Sequence, residues 1–234
     1  MAILAVTSAL ADEQTDITIE ASANGVSDGE LMRLQASLAS DAVISMGETG
    51  WTQVEQVRSS TGLDRTLAVF IKFASAESGT YTVNQDGVSA SFVTQISSYS
   101  GVDTTTPQDN TAQTSAVESE STPNQPNFTT QTDRAFVECV IYARGASLGV
   151  PANAPTGYTK FGSNLQTNAY TGAAYRDIIG VGLEQPGTWN SFSASSDIVM
   201  ITWGMRPAAA GGGTVSNQLQ GSNLGADLYN GTIL

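Results

Sequence analysis

Two short phrases in this chain have the same form, and they constrain its fold more than any other feature. Residues 49–52 read Thr-Gly-Trp-Thr, and residues 156–159 read Thr-Gly-Tyr-Thr. Each phrase lies between two apolar runs with strand-like composition, at 31–38 and 67–73 for the first and at 136–142 and 169–179 for the second. A strand–turn–strand unit that occurs twice predicts an all-β fold, a jelly-roll-like antiparallel β-sandwich made of two related halves.

The sandwich is expected to occupy residues 1–207, because short β-branched and aromatic runs bounded by Gly, Asn, Asp or Ser continue to that point. Within it, residues 101–133 are polar and interrupted by proline, which predicts a long surface loop with one edge strand near Val117. The single cysteine, Cys139, lies in an apolar strand and is predicted to be a small buried residue rather than a nucleophile.

After the sandwich, residues 208–213 (Ala-Ala-Ala-Gly-Gly-Gly) predict a flexible hinge. Residues 214–234 contain a single charged residue, Asp227, and are interpreted as an extended C-terminal arm that docks on a neighbouring subunit. A disordered tail and an arm that packs back on its own domain are the alternatives. The apolar residues of the arm are the predicted partner-binding residues: Val215, Leu219, Leu224, Leu228, Tyr229, Ile233 and Leu234.

Composition argues against an enzyme. The chain has no histidine and one cysteine, which removes Ser–His–Asp and Cys–His catalysis and the usual zinc ligands. We therefore predict no catalytic residue, no metal and no cofactor. A glycosidase pair of carboxylates is the remaining enzymatic alternative. The carboxylates on or near strands are interpreted instead as solvated surface residues: Glu48, Glu55, Glu138 and Glu184.

The net charge of −13 disfavours binding to nucleic acid and to anionic membranes, since both carry negative charge. No Lys or Arg precedes Arg33, and the apolar run at the N-terminus is shorter than that of a signal peptide. The expected site of synthesis is therefore the cytoplasm of a host cell, without an export signal.

Four phrases resemble a β-sandwich domain that is common in structural proteins of tailed phages. They are residues 28–31 (Asp-Gly-Glu-Leu), 49–52, 96–103 (Ile-Ser-Ser-Tyr-Ser-Gly-Val-Asp) and 155–159 (Pro-Thr-Gly-Tyr-Thr). The resemblance runs from residue 28 to residue 207, about three quarters of the chain. The ending at 225–232 (Gly-Ala-Asp-Leu-Tyr-Asn-Gly-Thr) is also similar to endings of phage virion proteins. The chain departs from tail fibres in lacking a coiled coil or a long repetitive shaft.

The resemblance implies a capsid decoration (cement) protein on the exterior of the virion, with the major capsid protein or other virion proteins as its partners. Assembly into a homotrimer is a further expectation, because capsid lattices offer three-fold positions. The alternative is a receptor- or carbohydrate-binding module on a tail appendage. Such a module would use aromatic side chains as a sugar-stacking platform, and the candidates are Trp51, Tyr81, Tyr99, Tyr158, Tyr170, Tyr175, Trp189 and Trp203.

Overall fold

The computed structural model describes residues 4–14, 16–20, 26–77, 80–86, 90–146, 148–151, 153–166, 168–190 and 192–209. Its regular elements are antiparallel β-strands, so the predicted all-β class is confirmed. No helix that is long and apolar enough to cross a membrane occurs in these ranges. The strands are β1 (Leu4–Gln14), β2 (Asp16–Glu20), β3 (Leu31–Leu38), β4 (Ile44–Met46), β5 (Thr52–Ser59), β6 (Arg65–Phe73), β7 (Thr80–Gln85), β8 (Ala90–Tyr99), β9 (Gln113–Glu120), β10 (Phe128–Thr130), β11 (Phe136–Arg144), β12 (Thr159–Gln166), β13 (Ala169–Asp177), β14 (Gly182–Glu184) and β15 (Ser196–Met205).

Two five-stranded sheets face each other, and each is formed by one half of the chain. The first has the order β1-β8-β3-β6-β5, and the second has the order β12-β13-β11-β15-β9. One apolar cluster fills the space between them and draws side chains from both sheets, such as Leu67 and Val69 from the first and Val140 and Ile201 from the second. The antiparallel sandwich is thus confirmed, and its jelly-roll connectivity stays a prediction.

The two halves use their strands in the same order. In the first half the order β8-β3-β6-β5 corresponds strand by strand to β15-β11-β13-β12 in the second. The register agrees as well: Leu31 pairs with the last residues of β6 and β8, and Phe136 pairs with the last residues of β13 and β15. The equivalent strands β5 and β12 each have a register shift against their neighbouring strand, within three residues of their first residue. The repeated unit that the sequence predicted therefore corresponds to a repeated strand topology in the two halves.

The two repeated phrases form the turns that lead into β5 and β12. Gly50 has φ of +91° and Gly157 has φ of +81°, conformations that favour glycine over residues with a Cβ. Each glycine also lies against a basic side chain on the strand that pairs with the turn, Lys72 for Gly50 and Arg176 for Gly157. A glycine is therefore favoured at both places for the same geometric reason.

A further layer covers the outer face of each main sheet. In the first half, the small sheet β2-β7-β4 covers β3 and β6, and a second apolar cluster that includes Leu34, Phe70 and Val83 lies between them. In the second half, the pair β10-β14 and neighbouring loops cover β11, with Trp189 and Phe128 in a third cluster. Every residue of β3 and β15 is buried as a result.

An ion pair lies at the centre of the sandwich. Arg33 on β3 and Glu138 on β11 are both fully buried, and they occupy equivalent positions of the two halves. Glu138 accepts hydrogen bonds from Arg33 Nε at 3.0 Å, Tyr99 Oη at 3.1 Å and Trp203 Nε1 at 2.7 Å. Arg33 Nη1 also donates to Gln95 Oε1 at 3.3 Å. Both charges therefore have the partners that a buried charge requires.

The interpretation of Glu138 as a solvated surface residue is wrong. Glu138 lies on the same face of β11 as Phe136, Val140 and Tyr142, and the first main sheet covers that face, so Glu138 points into the space between the sheets and is fully buried. Burial has the largest single effect on the pKa of Arg33 and would lower it, but the charges and hydrogen bonds of Glu138 and Tyr99 together raise this pKa above its ordinary value. Burial, with the charge of Glu138 adding to it, raises the pKa of Tyr99. Tyr99 thus stays a hydrogen-bond donor.

The segment 101–133 differs from the long surface loop that was predicted. The predicted edge strand near Val117 is β9, which pairs with β15. The segment also contributes β10 and several buried side chains, among them those of Gln125 and Phe128. Gln125 Nε2 donates to the Ile201 carbonyl at 2.8 Å, which ties the segment to the second main sheet. Much of this polar stretch is therefore part of the folded sandwich.

Other predictions fall on single sites. Cys139 is fully buried, as predicted, and burial raises the pKa of its thiol well above the ordinary value. Residues 208 and 209 of the predicted hinge are described, and Ala208 N donates to the Gly101 carbonyl at 2.9 Å. The rest of the hinge and the whole arm, residues 214–234, lie outside the described residues.

The two halves are joined at both ends of the sandwich. At the end where β8 and β15 finish, Asp103 N donates to the Arg206 carbonyl and Ala208 N donates to the Gly101 carbonyl, both at 2.9 Å. At the opposite end, Asp197 joins the halves: its carboxylate accepts hydrogen bonds from Leu63 N at 2.7 Å and Ser119 N at 3.0 Å. Arg144 Nη1 donates to the Ala39 carbonyl at 3.1 Å across the same boundary.

Candidate interaction surface

The most exposed apolar side chains of the described residues follow β13. Ile179, Val181 and Leu183 are 80%, 64% and 63% exposed, and we call these three residues the apolar ridge. They occur two residues apart in the sequence Ile-Gly-Val-Gly-Leu, which leads into β14. Large aliphatic side chains in one exposed group are typical of surfaces that contact another protein.

The backbone beneath the ridge is held at several points. Leu183 pairs with Thr129 of β10, and Gly182 pairs with Thr130. Gly182 N donates to Thr130 Oγ1 at 3.0 Å, and the same hydroxyl donates to the Gly182 carbonyl at 3.2 Å. Gly180 N donates to Asp133 Oδ1 at 2.7 Å. The ridge is thus a preformed feature, since its backbone is fixed while its side chains face outward.

A polar cluster borders the ridge at Glu184. Arg176 Nη1 lies 3.0 Å from Glu184 Oε1, and Tyr158 Oη donates to the same oxygen at 3.1 Å. Burial above all, together with the charge of Glu184, raises the pKa of Tyr158, so its hydroxyl remains a donor. These contacts join the repeated turn at Tyr158 to the strand that carries Leu183.

The first half has a polar cluster of similar composition but lacks the ridge, and of its members only Lys72 occupies the position equivalent to its counterpart, Arg176. Lys72 Nζ lies 2.9 Å from Glu77 Oε1, and Tyr81 Oη also donates to the Glu77 carboxylate. The backbone bond from Ile178 N to the Ala135 carbonyl has its counterpart in the bond from Ala74 N to the Glu30 carbonyl. On this alignment the positions of Ile179 and Val181 are occupied by Ser75 and Glu77. The apolar side chains are therefore a property of the second half alone.

A shallow depression of about 360 Å³ lies beside the second repeated turn. Lys160 is the charged residue of its lining, and Lys160 Nζ donates to the Pro151 carbonyl at 2.9 Å. Burial lowers the pKa of Lys160. Polar side chains in its lining, such as Asn153 and Asn190, could form hydrogen bonds with a bound molecule. The other residues of the lining are Ala154, Pro155, Thr156, Gly157 and Tyr158.

The aromatic residues that could have formed a sugar-stacking platform lie mainly in the interior. Trp189 and Trp203 are fully buried, and Trp189 Nε1 donates to Gln125 Oε1 at 2.8 Å. Trp51 packs edge-on against Tyr81 with ring centroids 5.2 Å apart. Tyr175 stacks on Phe136, with centroids 4.9 Å apart. Tyr99, Tyr158 and Tyr170 are also buried.

The other predicted site residues have separate places. Glu48 and Glu55 are partly exposed and accept backbone hydrogen bonds, Glu48 from Thr82 N at 2.8 Å and Glu55 from Gln56 N at 2.9 Å. The seven apolar residues of the arm lie outside the described residues, so their predicted role as a partner-binding set stays a prediction.

Sequence reasoning missed the apolar ridge. It assigned residues 169–179 to a strand and passed over the glycine-rich stretch that follows. The signal was present, because Ile179, Val181 and Leu183 continue an apolar pattern past the point where the matching strand of the first half becomes polar. Comparing the two halves position by position would have revealed it. Comparison with known proteins gave no match: no family model, no curated protein and no solved structure is similar to this chain.

Proposed function

We propose that this chain is a non-enzymatic assembly protein that attaches to a larger particle through the apolar ridge. The observation that carries the proposal is the exposure of three aliphatic side chains, 80%, 64% and 63%, on a preformed backbone. Burying such a surface against a partner is favourable at roughly 25 cal/mol per Å² of apolar area. The net charge of −13 keeps the remaining surface soluble and favours a partner with a basic contact surface.

The resemblance of residues 28–31, 49–52, 96–103 and 155–159 to tailed-phage structural proteins supports a virion as that particle. Within it, the favoured role is a capsid decoration protein that binds the major capsid protein on the exterior of the head and stabilises it. The arm residues would add contact area across a subunit boundary, and a homotrimer would place three ridges around a three-fold position.

The two most reactive buried groups, the Glu138 carboxylate and the Cys139 thiol, have structural roles. Glu138 is enclosed between the sheets and accepts hydrogen bonds from three side chains. Cys139 is buried, and the raised pKa of its thiol keeps it protonated, hence a poor nucleophile. These roles support a structural assignment over a hydrolytic one.

The location is tested on virions purified from the source of this sequence. Quantitative mass spectrometry should find the chain in the particles, and gold-labelled antibodies against it should bind the head. Labelling confined to the tail would replace decoration with the tail-appendage alternative. Absence of the chain from purified particles would overturn a virion role altogether.

The surface is tested with two matched substitutions in the full chain. Val181→Asp places a charge on the ridge, whereas Leu63→Asp places one at an exposed leucine, 43% accessible, at the other end of the sandwich. When each protein is added to particles stripped of it, Val181→Asp should lower occupancy at least tenfold and Leu63→Asp should leave it unchanged. Equal occupancy of the two variants would rule out the ridge as the contact.

A further inference from the structure

The ridge lies near the place where the chain leaves the sandwich. β13 and β15 run in the same direction on either side of β11, and Asp177 and Met205 both pair with Phe136. Two strand spacings separate these ends, about 10 Å. The bond from Ala208 N to the Gly101 carbonyl keeps the chain at this end of the molecule. The ridge residues follow Asp177 directly.

The chain that continues from Ala209 is long enough to reach the ridge. Residues 210–234 can span about 80 Å when extended, several times the separation of the strand ends. The first part is Gly-rich and places no bulky side chain in the path. The part that follows is apolar, with Leu224, Leu228 and Ile233 among its residues and Asp227 as its one charge.

We infer that residues 214–234 dock on the apolar ridge of the same chain. Both surfaces are mainly apolar, and Asp227 is the one charged side chain of the arm, so contact through the aliphatic side chains removes hydrocarbon from water. A tether of this length also gives an effective concentration in the millimolar range. At ordinary protein concentrations the arm of the same chain therefore occupies the ridge ahead of the arm of a second copy.

Docking within one chain gives the free subunit a covered ridge. A particle that binds the ridge has to displace the arm, and the released arm then becomes available for a neighbouring subunit. The inference goes beyond the proposed function and does not depend on it, because the contact forms in the isolated protein. Its test accordingly uses no particle.

The test is disulfide cross-linking in the full chain. Val181→Cys is combined in turn with Leu224→Cys, Leu228→Cys and Ile233→Cys, and the native Cys139 does not interfere because it is fully buried. The matched control combines the same three arm substitutions with Leu63→Cys at the opposite end. Mild oxidation is followed by non-reducing electrophoresis and mass spectrometry of the linked peptides.

At least one arm cysteine should form an intramolecular bond with position 181, at least tenfold faster than with position 63. Dimers linked through position 181 would assign the ridge to the arm of a second copy and overturn the inference. Equal rates at the two positions, or no cross-link from any of the three arm cysteines, would also overturn it.

A second measurement uses a variant whose fold is not at risk, since Val181 is largely exposed. Chymotrypsin should cleave the arm near Tyr229 at least threefold faster in Val181→Asp than in the unchanged protein, and Leu63→Asp should match the unchanged protein. Identical cleavage of all three proteins would contradict docking.

Discussion

The two halves of the molecule share their backbone plan and differ in their contact surfaces. Both contain the same strand order, a glycine–aromatic turn and a basic residue paired with a glutamate that also binds a tyrosine. They differ at the centre, where Arg33 faces Glu138, and at one end, where Ser75 and Glu77 correspond to Ile179 and Val181. Positions that set chain geometry are thus alike in the two halves, while positions between the sheets and at one exposed end differ.

The largest loss of stability is expected when the buried Arg33–Glu138 ion pair, which distinguishes the two halves, is broken. Glu138→Ala should destabilise the protein by about 3–5 kcal/mol, because it leaves the Arg33 guanidinium buried without its counter-charge. The free energy of unfolding is measured by urea denaturation. The control is the double variant Arg33→Met with Glu138→Leu, which removes both charges and should lose clearly less stability than Glu138→Ala. A double variant that is as unstable as the single one would mean that shape, not charge pairing, is decisive here.

The next effect concerns the link between the halves at Asp197, whose counterpart in the first half is Ser91. Asp197→Asn should cost about 2 kcal/mol at pH 7, since hydrogen bonds from Leu63 N and Ser119 N to a charged acceptor are weakened. Although burial opposes the shift, these bonds and the charge of Arg65 lower the pKa of Asp197.

The pH dependence follows from that direction. A carboxylate with a lowered folded-state pKa adds stability above its unfolded pKa of about 3.9 and loses it as the pH falls through the folded value. The stability difference between the unchanged protein and Asp197→Asn should therefore be full at pH 7 and shrink below about pH 4. Urea titrations at pH 7 and pH 3 measure this difference. A difference that stays constant would show that the charge of Asp197 plays no part.

A smaller effect tests whether the two repeated turns are equivalent. Gly50→Ala and Gly157→Ala should each cost about 1 kcal/mol, because both glycines have positive φ. The added Cβ would lie 3.3 Å from Lys72 and 3.5 Å from Arg176, so the two costs should agree closely. Thermal unfolding of both variants provides the comparison. Costs that differ severalfold would mean that one turn has lost its original role.

The smallest effect should be a gain in stability. Gly29 and Arg134 are equivalent positions with φ of +83° and +65°, and only the first is a glycine. Arg134→Gly should therefore relieve strain and stabilise the protein by about 0.5 kcal/mol, whereas Gly29→Ala should destabilise it. Chemical denaturation resolves the two signs. Destabilisation by Arg134→Gly would show that the arginine side chain contributes more than its backbone costs.

The sequence predicted the parts of the fold that depend on local chemistry. Short apolar runs predicted the strands, and the two glycine–aromatic phrases predicted the turns. The turns were predictable because the positive φ at Gly50 and Gly157 is a requirement of the local backbone. The buried position of Cys139 followed from its apolar neighbours. The edge strand near Val117 was predicted at one of the few apolar residues of a polar stretch, and it is β9.

What the sequence could not give depends on distant contacts. Glu138 is buried against Arg33, which is 105 residues away, because the first main sheet covers the inner face of β11. The integration of residues 101–133 depends on Gln125 reaching the carbonyl of Ile201. The apolar ridge was not predicted because its defining property is exposure to solvent. The identity of a valine in a sequence does not indicate whether its side chain is exposed or buried.

The opposite charges at the centre also determine which halves can associate. If two first halves met through their inner faces, Arg33 would oppose a second Arg33, and two second halves would bring two Glu138 side chains together. Either arrangement would bury like charges with no counter-ion, at a cost of several kcal/mol. A nascent chain whose halves are nearly alike in topology can therefore complete its sandwich only with one half of each kind. The ion pair therefore disfavours the association of two like halves relative to the association of unlike ones.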